Sequence, residues 1–195
     1  MIDKIETWIG AAVGIFISFF KLYEWWKKRK EKKNENTLRK FAEGTEELQT
    51  LIDSVVKNGY CPRVYLFRGH NGGDRPKLGS PYYVDVAYSK HDDLLKDKSS
   101  RYKEIEVDST YRKMLLELIQ KEKIEIDPIT LEDGLLKDIY IDEKIVFSKV
   151  YKIYTGEKNF FFLSCAWYKP ITATERLECN LLANKLKILY KKHYN

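Results

Sequence analysis

The chain has 195 residues with 44% hydrophobic and 33% charged residues and a formal net charge of +6. Residues 21 to 40 hold nine Lys or Arg against three Glu, so this one segment accounts for the whole surplus and the remainder is neutral. A basic face for nucleic acid is therefore not expected, and nucleic acid is set aside as a partner. Three cysteines, Cys61, Cys165 and Cys179, carry no CxxC and no metal-ligand spacing. An odd count is no disulfide framework and suits a reducing compartment.

The first predicted element is a membrane span. Ile5 to Trp26 is 22 residues, close to the roughly 20 that a helix needs to cross the hydrocarbon layer. Trp8 stands at one edge, and Tyr23, Trp25 and Trp26 at the other, where amphipathic rings gather. The strictly uncharged run, Trp8 to Phe20, is only thirteen residues. A cleaved signal peptide would need a basic start and a small-residue cleavage site, and an interfacial helix would need a polar face. Neither is present, so residues 1–26 are read as a single-pass anchor. Residues 27–37 are read as a basic juxtamembrane linker. Lys27, Lys28, Arg29, Lys30, Lys32 and Lys33 suit anionic lipid headgroups, making membrane lipids an expected partner. The positive-inside rule then places the rest of the chain in the cytoplasm. Gly10, Gly14 and Ser18 form a small-residue stripe of the kind that packs helices in lipid, which predicts a homo-oligomer.

Residues 38–195 read as one α+β domain. Leu38, Phe41, Thr45, Leu48, Ile52 and Val55 follow a helical 3-4 spacing, ended near Asn58-Gly59. Strands are predicted over 63–67 and 82–88, with a long loop between them. A helix capped at Asp108 or Ser109 runs to about Lys121, then a short strand over 123–127 and a helical stretch over 130–140. Runs 145–154 and 160–168 form a hairpin around Thr155-GEKN. The second, FFFLSCAWY, is apolar on both faces and is placed centrally. Thr172 and Glu175 make a capping box, opening a last helix with Cys179, Leu182, Ala183, Leu186, Leu189 and Tyr190 on its buried stripe. This order gives a mostly antiparallel sheet with the first and last helices on one face. It resembles the architecture of GAF and PAS-type sensor modules.

The most unusual stretch is RGHNGGDRPKLGSP, residues 68 to 81. Glycines expose backbone N–H groups that can cradle an anion, and Arg68, His70, Arg75 and Lys77 would supply charge. With Asn71, Gly72 and Gly73 these are the candidate ligand-binding residues. The same glycines also serve ordinary turn geometry, and the pattern is no known phosphate loop. His70 is the only candidate base, with Asp74 or Asp85 to orient it, and no nucleophile stands nearby in sequence. No catalytic constellation, metal set or cofactor is expected, so the chain is not read as an enzyme.

Three segments, VYLFR at 64 to 68, YVDVAY at 83 to 88 and WYKPITATERLE at 167 to 178, resemble the T-holin family of T-even-type bacteriophages. That resemblance implies a phage lysis protein: a single inner-membrane span that oligomerises for host lysis, and a regulatory domain meeting a protein partner. It also implies a periplasmic domain, against the charge rule. The alternative is a membrane-tethered GAF-like sensor or binding module recognising a small anionic ligand or protein partner at the HNGG loop.

Overall fold

The computed structural model describes the backbone of residues 2–72 and 80–194, and the side chains of 21–72 and 80–193. The chain divides into two compact units, Met1–Thr45 and Glu46–Asn195.

The first unit is helical. It belongs to α1, which runs unbroken from Ile2 to Lys57. The six basic residues Lys27, Lys28, Arg29, Lys30, Lys32 and Lys33 are exposed, as are Leu22, Tyr23, Trp25 and Trp26. Arg29 lies over the Trp25 ring at 5.1 Å and Lys30 over Trp26 at 5.3 Å, each one turn along. No helix among the described residues is long and apolar enough to cross a membrane. The expected single-pass inner-membrane anchor is corrected on that ground, and both proposed orientations fall with it. The physical reason lies in the thirteen-residue uncharged run. At about 1.5 Å per residue it rises about 20 Å, against about 30 Å of hydrocarbon. Lys21, Glu24 and Lys27 prevent its extension. The packing of Gly10, Gly14 and Ser18 lies outside the described side chains.

The second unit is built on a six-stranded antiparallel sheet in the order β3-β2-β1-β6-β5-β4. The strands are β1 (Arg63–His70), β2 (Tyr83–His91), β3 (Ile105–Glu106), β4 (Lys123–Ile126), β5 (Phe147–Thr155) and β6 (Asn159–Trp167). Between them lie α2 (Ser109–Lys121) and α3 (Leu135–Asp142), and α4 (Ala173–Tyr194) closes the chain. β6 sits between β1 and β5, and its side chains alternate between two cores, as its two-sided apolar pattern requires. Phe161, Leu163, Cys165 and Trp167 meet Ile52, Val55 and Val56 of α1 and Leu182, Ala183 and Leu186 of α4. Phe160, Phe162 and Ala166 face Tyr111, Met114, Leu115 and Leu118 of α2 and Leu136 and Tyr140 of α3. The first and last helices thus share one face of an α+β sandwich.

Local chemistry explains most boundaries. The Asp108 carboxylate accepts the Tyr111 amide at 2.7 Å and starts α2. The Thr172 N–H donates to Glu175 Oε2 at 2.7 Å, and the Glu175 N–H donates to Thr172 Oγ1 at 3.2 Å, closing the capping box. Two helical stretches differ from expectation. The stretch 130–140 is a short 3-10 turn, Pro128–Thr130, followed by α3. Gly134 separates them at φ +155, a conformation that L side chains rarely adopt. The α1 stripe is also split in its surroundings: Ile52 and Val55 are buried, whereas Leu38 and Phe41 are exposed.

Candidate ligand site at the end of the first two strands

β1 extends three residues beyond Phe67, to His70. Gly69 therefore lies in the sheet, opposite Val84 and Phe160, rather than in a loop. It is needed for close approach: a Cβ there would meet the Tyr82 hydroxyl at 2.5 Å. Arg68 and His70 are two apart on a strand and so project from the same face. Arg68 stands directly across from Asp85 of β2. Both basic side chains converge on that carboxylate.

Arg68 Nη2 donates to Asp85 Oδ2 at 3.0 Å, and His70 Nε2 lies 2.6 Å from the same oxygen. The Glu104 N–H donates to Asp85 Oδ1 at 2.5 Å, from a backbone held at φ 50. Burial pushes the Asp85 carboxyl up, but the Glu104 amide, Arg68 and His70 outweigh it and hold the group below the usual carboxylate value. The Gly72 N–H donates to His70 Nδ1 at 3.2 Å. Nδ1 therefore accepts from the loop backbone, and Nε2 faces the Asp85 carboxylate. With both ring nitrogens engaged, His70 orients the turn and is not placed to take a proton from a substrate. Gly72 supports the turn at φ +63. Asn71 is half-buried beside it, and Gly73, Arg75 and Lys77 lie outside the described residues.

This cluster can orient a guanidinium. The Arg68 side chain is 44% exposed, and a guanidinium has five N–H donors, so Asp85 does not exhaust it. A separate cavity of about 310 Å³ lies between α2, β4 and α3, with Met114, Ile124 and Leu136 in its wall and the Lys113–Glu132 ion pair at 2.6 Å beside it.

One cluster had no sequence signal. Cys61, Cys165 and Cys179 come together from the loop before β1, from β6 and from α4, with all three sulfurs within 4.8 Å of one another. Each residue is fully buried. Burial pushes the Cys61 and Cys165 thiols up, whereas donation from Cys165 and Cys61 holds Cys179 below the usual thiol value. No pair is close in sequence, so only the fold reveals the cluster.

No family model matches the chain, and no curated protein matches it. Solved structures do match in fold. A far-red cyanobacteriochrome photoreceptor is 13% identical, with 88% of this chain and 99% of that one covered at a TM-score of 0.54. A GAF domain from Synechocystis sp., in its photoproduct state, is 14% identical over 77% of this chain and 96% of its own, at 0.53. A GAF domain/HD domain protein from Geobacter sulfurreducens is 11% identical over 78% and 92%, at 0.52. At these identities the likeness is one of fold, and the fold is GAF-like. These matches lend no support to the T-holin resemblance or to a role in host lysis.

Proposed function

We propose that this GAF-like chain is a non-enzymatic binding module that senses a small anionic ligand at the β1–β2 end. Arg68, His70, Asn71 and Gly72 form the described part of that site, and Gly73, Arg75 and Lys77 follow in sequence. The observation that carries the reading is Asp85 holding Arg68 and His70 side by side while leaving the guanidinium half open to solvent. A preorganised guanidinium suits a carboxylate or phosphate, which it can meet through two parallel N–H donors. The Gly72 turn lets the loop backbone approach such a group. The photoreceptor role of the cyanobacteriochrome is not carried over, because that likeness is of fold alone.

The test is a melting series of the whole chain against inorganic phosphate, nucleotides and small dicarboxylates. A ligand at 100 times its dissociation constant stabilises a fold by about 2.7 kcal/mol. The reading expects such a shift for at least one anion, and its loss in Arg68→Ala. Shifts that persist in Arg68→Ala place the ligand elsewhere. A flat response across the panel, with a protein captured through the same residues, transfers the site to a protein partner.

A further inference from the structure

The geometry points to a second site in the core, a three-sulfur pocket formed by Cys61, Cys165 and Cys179 that binds one soft, thiophilic metal ion. Three features carry it. The first is size. A metal–thiolate bond of about 2.3 Å asks for sulfurs about 4 Å apart around a shared ion. The three sulfurs here already lie within 4.8 Å of one another, so closure by less than about an ångström completes the triangle.

The second is origin. The three residues come from three separate elements, each fixed by its own packing, so the donors are held in place by the fold. The Cys61 thiol points inward and donates to the Arg63 carbonyl at 3.1 Å. Cys165 sits in the central strand, opposite Val64 of β1 on one side and Lys149 of β5 on the other. Cys179 reaches the same point from α4.

The third is charge. Thiolates in a dry core need a compensating cation. Lys149 supplies one: its side chain is only 4% exposed, and its neighbour across the next strand is Glu125. Glu125 also receives Arg176, so two cations share one carboxylate and positive charge is left over beside the sulfurs. At the Cys179 sulfur Lys149 is opposed by the Glu175 carboxylate, which is itself paired with Lys169 at 3.2 Å. A row Glu125–Lys149–Cys165 thus runs across β4, β5 and β6, ending at the pocket.

Three sulfur donors without nitrogen or oxygen select soft ions such as Cu(I), Zn(II) or Cd(II) over Mg(II) or Ca(II). Three donors leave one corner of a tetrahedron unfilled, which favours an ion content with three ligands. Each thiol that binds loses its proton to solvent, and the ion enters as the chain folds, because the closed core offers no path afterwards.

The experiment uses the full chain, unfolded with chelator and reductant and refolded with Cu(I), Zn(II) or Cd(II) offered singly. Retained metal is counted by elemental analysis after desalting, and Cd(II) is also read by its thiolate charge-transfer absorption. One ion per chain, lost in Cys165→Ala with Cys179→Ala, is the expected result. The wild type supplies a control independent of variant folding. In mild denaturant, bound ion should protect all three thiols together from an alkylating reagent, counted by mass. No retained ion, retention by the double variant, or protection of fewer than three thiols overturns the proposal.

Discussion

His70 Nε2 lies 2.6 Å from Asp85 Oδ2, and Asp85 in turn accepts Arg68 Nη2 and the Glu104 N–H. One carboxylate thereby ties β1, β2 and the approach to β3 at the end where the candidate ligand loop begins. Asp85→Ala leaves three donors without their acceptor. Loss of such a hydrogen-bonded charge costs about 1–3 kcal/mol. The expected outcome is a lower urea midpoint with an unchanged slope, and amide exchange that accelerates first at residues 83–85 and 104–106.

The same carboxylate gives a pH dependence with a defined sign. Its folded value lies below the ordinary 3.8, so it stabilises the fold above that pH. The contribution is lost as the pH falls through the folded value. Asp108, Glu122, Glu125 and Glu175 are lowered as well, so total acid sensitivity is shared. The informative quantity is the difference between wild type and Asp85→Asn. That difference should be full at about pH 6 and should shrink below about pH 4. A constant difference down to about pH 2 contradicts the assignment.

A buried ion pair joins β1 to the end of α3. Arg63 and Glu143 have side chains only 7% and 1% exposed, and the Arg63 guanidinium also lies 4.6 Å from the centre of the Tyr65 ring. Removing one partner of such a pair strands the other charge and costs about 3–5 kcal/mol. Glu143→Gln should therefore be among the more damaging single substitutions in the sheet unit. Arg63→Met combined with Glu143→Leu should recover most of the loss, because a well-packed apolar pair of similar volume needs no desolvation. Chemical denaturation of the two variants decides the matter.

At the start of α4 the capping box gives a smaller, cleaner test. Thr172→Ala removes the side-chain oxygen that accepts the Glu175 amide. Loss of such a cap costs about 1 kcal/mol. Thr172→Ser should retain most of the stability, since the hydroxyl is what matters.

Much of the fold was legible because it rests on local chemistry. The capping box, the Asp108 cap and the two-sided apolar run of β6 each announce an element in a few residues. The first helix was legible as a helix and misread as a membrane span. Tryptophans followed by lysines look alike at a bilayer edge and along an exposed helix, where Trp25 and Trp26 instead lie under Arg29 and Lys30. The site was legible in part. Arg68, His70 and Asp85 stand out in the sequence, but Gly69 reads as loop and lies in the sheet. Its reason, the Tyr82 ring, lies across the strands and leaves no mark on the neighbouring sequence. The three cysteines were invisible as a group for the same reason: their proximity belongs to the sheet register and to α4.

The central claim is that the β1–β2 end binds a small anion through Arg68. The most direct measurement is calorimetric titration of the full chain with the anion giving the largest melting shift, repeated on Arg68→Lys and Arg68→Ala. The account predicts saturable binding to the wild type. Arg68→Lys should weaken it about 10-fold, since a point charge cannot give the paired N–H contact, and Arg68→Ala should abolish it. Equal affinity across the three proteins contradicts the account.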